Sequence, residues 1–182
     1  MNPNALNEAR VLIQSAVETL RQGETLLAEI SDEEYTRKVP VAFNASIGGH
    51  YRHCLDHFRT LLDAAAAGDL NYDHRERGTL VETNRFAALK ATRELCEGYA
   101  ELEPAFLGRT LTVTCLTSCS TSGSQASAST IGREIMYSVA HAVHHYALIG
   151  MMGRIMDLKL PPGFGVAPST LKYLAEVSPV SA

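Results

Sequence analysis

The chain has 182 residues, 46% of them apolar and 20% charged, enough to bury a core without staples and expected to form one domain, residues 1–182. Its formal net charge is −4 with no long Lys/Arg run, which argues against a nucleic acid partner, because neutralising phosphates needs a basic footprint. No run reaches the roughly 18–20 apolar residues of a membrane span, residues 1–10 lack the basic-then-apolar order of a secretory leader, and Cys54, Cys96, Cys115 and Cys119 are too sparse for a disulfide framework. A cytoplasmic protein with reduced thiols and no membrane partner is the expectation.

The first predicted helix runs from about Asn4 to Ile30, with Val11, Leu12, Ala16, Leu20, Leu26, Leu27 and Ile30 at helical spacing. Ser31-Asp-Glu-Glu34 then restarts the chain with a capping-box pattern that leads to Pro40. A second helix begins near Ser46 and continues through the alanines of 64–67 until Gly68; a polar link, Asp69 to Gly78, follows. The third helix covers about Thr79 to Leu102 and is stopped by Pro104. Beyond it the period changes. Leu111, Val113 and Cys115 alternate with threonines, a Ser/Thr/Gly-rich stretch reaches Ser124, and Ala126 and Ala128 alternate with serines. That alternation predicts a small β-hairpin, with a long loop as the alternative, between helices three and four. The fourth helix spans about Thr130 to Leu158, before Pro161-Pro162-Gly163, and the tail carries one short helix near Ser169 to Glu176. Four helices with mainly short connections define an all-α four-helix bundle.

Six of the seven histidines lie in two short segments: His50, His53 and His57 on the second helix, and His141, His144 and His145 on the fourth. Four-residue spacing puts His141 and His145 on one face, one turn apart, as two ligands of one ion need to be. His144 projects roughly 60–100° away. Glu134 and Ser138 share the face of the pair, so Glu134 could orient a ligand histidine or approach the ion itself. On the second helix the three histidines fall within roughly 60° of each other. The apolar face there is Ile47, Tyr51, Cys54, Leu55, Phe58, Leu61 and Leu62. His50 and His57 border it closely, and His53 lies further round. Spacing lets one of the three meet the fourth helix without choosing which.

Other candidates carry less. Cys115-x-x-x-Cys119 has no second cysteine pair to complete a closed zinc site. Asp73, Arg75, Glu76 and Arg77 read as a solvated loop, and Asp56 as a surface charge pointing away from His53 and His57. Met151, Met152 and Met156 read as core or dimer packing, and Gly163-Phe-Gly165 as tail punctuation.

The segment Ser46-Ile-Gly-Gly-His-Tyr-Arg-His53-Cys-Leu-Asp-His57-Phe, followed some ninety residues later by Gly132-Arg-Glu134 and His141-Ala-Val-His144-His145, resembles the DinB-like superfamily. That superfamily includes YfiT-type metal-binding bundles, thiol-dependent transferases and the iron-binding domain of sulfoxide synthases. Residues 71–77 and 162–168 are similar to it too, so the likeness covers most of the chain. Carried over by position, it implies His53, His141 and His145 as ligands of one divalent ion (Zn, Ni, Fe or Mn), choosing His53 where spacing left His50 and His57 open. It also implies a homodimer. Where many members continue the histidine pair with Arg-Gly-Gln, this chain has Tyr146-Ala-Leu-Ile149, a departure that weakens carry-over of any one member's activity.

Three protein ligands leave room for exchange, whereas structural zinc sites are closed by four. The resemblance therefore implies a metal-dependent transferase or hydrolase acting on a low-molecular-weight thiol and a small electrophile, with Glu134, Tyr137 or Tyr146 as accessory groups. A non-catalytic metal- or ligand-binding stress protein is the other reading.

Overall fold

The computed structural model describes residues 2–74, 78–120 and 123–177; Arg75, Glu76 and Arg77 of the charged loop lie outside them. Four long helices make the body: α1 (Pro3–Glu29), α3 (Ile47–Ala67), α5 (Arg85–Ala100) and α6 (Ile131–Ile155). Shorter helices are α2 (Asp32–Thr36), α4 (Leu80–Thr83) and α7 (Pro168–Val177), and the strands are β1 (Asp69–Asn71), β2 (Thr110–Cys115) and β3 (Gln125–Thr130). Around the bundle α1 packs on α5, α5 on α3, α3 on α6 and α6 back on α1. The expected four-helix bundle is therefore the architecture, with α3 and α6, the two histidine-bearing helices, as neighbours.

Each long helix starts where a side chain satisfies its orphaned amides. Asn2 accepts from Ala5 N, Ser46 from Gly49 N, Asn84 from Ala87 N and Thr130 from Arg133 N; caps of this kind are worth about 1 kcal/mol each. Ser31 and Glu34 form the full capping box that the sequence suggests. α3 stops at Gly68, whose φ of 87° ends the helix with a bond from Gly68 N to Ala64 O.

The third predicted helix breaks in two. Asn84 takes an extended conformation and caps α5, a polar side chain competing with the helical ladder as Asn does. α6 ends at Ile155, three residues earlier than expected. Asp157 occupies the left-handed region at φ 57°, and Leu158 N donates to Gly153 O across the end. Asp tolerates that geometry almost as Gly does.

The hairpin forms where alternation placed it, β2 antiparallel to β3 with Thr110 opposite Thr130 and Cys115 opposite Gln125. Leu111 is buried on β2, but Ala126 and Ala128 are exposed, because β3 is an edge strand. The sheet has a third member inside the expected polar link: β1 pairs parallel with β2, Leu70 beside Val113. Tyr72 extends that ladder, its amide donating to Thr114 O.

The core runs through all four long helices, with Leu20, Leu26, Leu27, Ile47, Phe58, Leu61, Leu95 and Ile149 essentially inaccessible. Gly23 and Gly48 allow close approaches within it. A Cβ at Gly23 would sit 2.5 Å from the hydroxyl oxygens of both Tyr51 and Tyr146, and one at Gly48 would sit 2.2 Å from the Glu82 carbonyl oxygen. The tail is more than punctuation: Phe164 is buried and stacks on Tyr146 at 4.9 Å, and Gly165 N donates to Gln22 on α1. Of the methionines, Met152 is buried, Met156 half-buried and Met151 exposed. No described helix is long and apolar enough to cross a membrane.

Candidate metal centre

Where α3 and α6 run side by side, their histidines meet. His53, His141 and His145 present ring nitrogens that all lie within 4.8 Å of one another, each residue half-buried. His53 Nε2 and His141 Nε2 are 2.9 Å apart, and the three ring centroids are 4.6–4.9 Å from each other. Bonds of about 2 Å from nitrogen to a divalent metal bring ligand nitrogens within about 4 Å of one another. The triad therefore has the convergence and chemistry to hold one ion. Among the described residues no other group of three or more His, Cys, Asp or Glu side chains converges in this way. Cys115 and Cys119 are free thiols.

His50 and His57, the alternatives left open by spacing, flank the triad rather than joining it. His50 Nδ1 is 2.9 Å from His145 Nδ1. His57, only 5% exposed, packs against His141 with centroids 4.1 Å apart and rings tilted by 37°, and meets His53 edge-on at 4.8 Å. The apolar side of α3 thus takes His57 inward as expected, and the residue further round, His53, is the one that faces both histidines of α6. His144 is exposed, as its position on the helix predicts.

Burial favours the neutral form of His145 and His50, the form that donates a lone pair. His145 is lowered to about 4, first by loss of solvent and then by His141, His50 and His144. His50 is lowered by burial and by His144.

Glu134 plays a different part from the one expected of it. It is 1% exposed, and it accepts from Tyr72 Oη (2.9 Å), Ser129 Oγ (2.6 Å) and Arg133 (2.8 Å) rather than from a histidine. Tyr72 in turn stacks on His57 at 4.7 Å and 25°, so a run of contacts leads from Glu134 through Tyr72 and His57 to His141. The small sheet anchors the start of this run, since Ser129, a donor to Glu134, is on β3 and Tyr72 directly follows β1. Sequence reasoning missed Tyr72. Its only signal was a single aromatic in a polar link, and its partner lies 62 residues away. Of the other accessory candidates, Tyr137 is half-buried and stacks on His141 at 5.7 Å. Tyr146 is fully buried, stacked between Tyr51 and Phe164, with its hydroxyl against Gly23 rather than toward the histidines.

A cavity of about 540 Å³ opens beside two members of the triad, lined by His53 and His145 with His50, Arg52, Glu82 and Gly49. Arg52 pairs with Glu82 at 3.1 Å and with Asp56 one turn along α3. Asp56 is thus the partner of a wall residue, and the charged part of that wall is nearly balanced.

Residues 16–149 match the family model of the DinB superfamily. The chain belongs to the DinB superfamily. The match runs from mid-α1 to near the end of α6 and so takes in α3 and α5 whole, most of α6, half of α1 and all six histidines of α3 and α6. This DinB-superfamily chain is also 34% identical over 105 residues to FK506-binding protein 5 of Rhizopus delemar, a stretch that covers 58% of this chain and 27% of that protein. The likeness thus spans little more than a quarter of the relative. No solved structure matches the chain.

Proposed function

We propose that His53, His141 and His145 hold one divalent ion (Zn, Ni, Fe or Mn) and that the protein is a metal-dependent enzyme, a transferase or hydrolase joining a small thiol or water to an electrophile. The observation that carries this reading is the convergence of three ring nitrogens within 4.8 Å, two of whose residues, His53 and His145, also line an open cavity of about 540 Å³. A divalent ion held there supplies Lewis acidity, which favours the deprotonated form of a thiol or water near neutral pH. The chain's own part is positional. α3 and α6 present the rings, the packing of His57 and Tyr137 against His141 limits its rotation, and His50 engages the Nδ1 of His145, as outer partners of metal-binding imidazoles do. The Arg52–Glu82 pair supplies a polar wall able to orient a substrate's amine or carboxylate. Four free cysteines suit a reducing, cytoplasmic setting, and superfamily membership supports a homodimer.

The test is metal analysis of the purified protein followed by turnover. About one ion per chain is expected, lost in His53→Ala and His141→Ala variants. Metal-replete protein is then assayed with glutathione or bacillithiol against a panel of electrophiles. An absence of bound metal after reconstitution with each of the four ions would overturn the site. Metal without turnover across a broad panel would leave a non-catalytic metal- or ligand-binding protein.

A further inference from the structure

His50 belongs to two cavities. It lines the polar space beside His53 and His145 of the triad. It also lines a second recess of about 250 Å³, whose other walls include Val41, Phe43, Leu148, Met151 and Ile155, with no charged side chain among the described residues around it. The recess lies between the loop before α3 and the last turns of α6, and its rim is unusually apolar for open surface. Phe43 is 101% exposed, Val41 78%, Met151 63% and Ile155 54%. Single exposed apolar residues need no explanation, but four around one recess do.

The loop that presents Phe43 is held under strain. Phe43 and Asn44 both sit in the left-handed region, at φ 55° and 56°, a conformation that is rare and unfavourable for a bulky aromatic residue. The conformation is locked by the Val39–Ala45 bridge and by the bond from Ala45 N to Ala42 O. The strain is not offset by burial of the ring. Phe43 therefore contributes to neither the core nor a relaxed turn, and what the loop gains is an aromatic wall beside His50.

We infer that this recess is a specificity subsite for an uncharged alkyl or aryl group of the substrate whose polar head sits over the His53–His141–His145 triad. The inference rests on the metal-site reading and deepens it. The shared wall makes the connection: a molecule with its head at the triad meets His50 at once, because His50 Nδ1 touches His145 Nδ1 at 2.9 Å, and the apolar walls begin on the other side of that residue. The chemistry fits an apolar arm. Two methionines, Met151 and Met152, and a phenylalanine offer polarizable, adaptable surface, whereas a charged arm would find no partner there.

The experiment uses full-length, zinc-loaded protein and a series of straight-chain hydroxamates from acetohydroxamate to octanohydroxamate, with affinity measured by calorimetry. The head group is constant, so chain length reads the recess alone. Affinity is expected to rise by about threefold to fourfold per methylene over the first several carbons. In Met151→Asp and, separately, Phe43→Ser, that rise should flatten while acetohydroxamate affinity and zinc content stay unchanged. Both positions are exposed, and circular dichroism melts confirm folding. A flat series in a protein that retains zinc and binds acetohydroxamate would overturn the subsite and leave the metal site standing. No zinc retention and no acetohydroxamate binding would remove both. Sedimentation of the same variants gives the competing occupant: should Met151→Asp dissociate a dimer while the chain-length slope persists, the face belongs to a second copy of the chain and the inference fails.

Discussion

His50 and Tyr51 are neighbours on α3, and His145 and Tyr146 are neighbours on α6, yet each pair divides between opposite environments. His50 and His145 meet at 2.9 Å beside the open cavity. One residue on, Tyr51 and Tyr146 stack at 6.2 Å with rings 6° from parallel, fully buried. A single step of about 100° around each helix separates a layer of titratable rings from a layer of phenols that burial holds protonated. The two layers share the same two backbones, so the dry layer sets the helix separation at which the wet layer works. Packing in the tyrosine layer is tight enough to demand Gly23. That rigidity sets the distance between the two backbones, and the contacts of His57, Tyr137 and His50 then orient the individual rings.

The sharpest way to break the comparison is to change the wet layer alone. His53→Ala or His141→Ala should abolish metal binding, a loss of more than about 100-fold in affinity, since even outer partners of a ligand cost 10–100-fold. The metal-free melting temperature should stay within a few degrees of the metal-free parent. Equilibrium dialysis with zinc and a thermal melt of each apo protein give the two numbers. A large fall in apo stability would mean that the histidines are part of the core, against the division drawn here.

A smaller effect is expected where the sheet touches the wet layer. Tyr72→Leu removes both the stack on His57 and the donor to Glu134, and should weaken metal binding by about 10-fold. Tyr72→Phe keeps the ring, so it should retain most of that affinity while losing about 1–3 kcal/mol of stability from the under-satisfied Glu134 carboxylate. Equal loss of metal in both variants would assign the effect to Glu134 rather than to the ring stack. A visible spectrum of the cobalt-substituted protein adds a check that a purely structural role would leave unmoved.

The bundle and the division of its faces were legible because they repeat. Helical spacing on α1, α3 and α6 recurs over many turns, so a miscounted position changes little, and the α6 pair His141 and His145 follows from geometry alone. What spacing could not choose was the partner on α3. His57 lies nearest the apolar face and is the deepest of the three, yet it packs against the triad instead of joining it. Only resemblance to known members singled out His53. Features resting on one residue were illegible. Leu70 is the sole buried residue of β1, and its pairing with β2 is 43 positions distant. Phe164 was lost among glycines although it plugs the core beside Tyr146. Tyr146 shows the opposite error: next to His145 in sequence, it was grouped with the site, whereas one step around the helix turns it into the core.

Within the dry layer, Gly23→Ala should be destabilising by about 1–3 kcal/mol, because the added methyl meets two phenol oxygens that are themselves packed. Urea unfolding of the apo protein measures it. If the layers are coupled through the helix separation, metal affinity falls along with stability; if it does not change, the histidine rings adjust independently of the core.

Tyr51→Phe is the mildest probe of the same coupling. Thr92 Oγ1 donates to Ala88 O at 2.8 Å, so in the bond between Tyr51 Oη and Thr92 Oγ1, also 2.8 Å, the phenol is the donor. Removing that hydroxyl leaves Thr92 still bonded to its own helix, and the ring keeps its stack on Tyr146. The expected loss is about 1 kcal/mol, with zinc affinity unchanged within twofold. The same deletion also relieves one of the two oxygens that crowd Gly23, so the double variant Gly23→Ala with Tyr51→Phe should be less destabilised than the sum of the two singles. Strict additivity would show that Tyr146 or the Tyr51 ring edge, whose Cε2 would lie 2.6 Å from the added methyl and remains in phenylalanine, makes glycine obligatory at position 23, and not the Tyr51 hydroxyl.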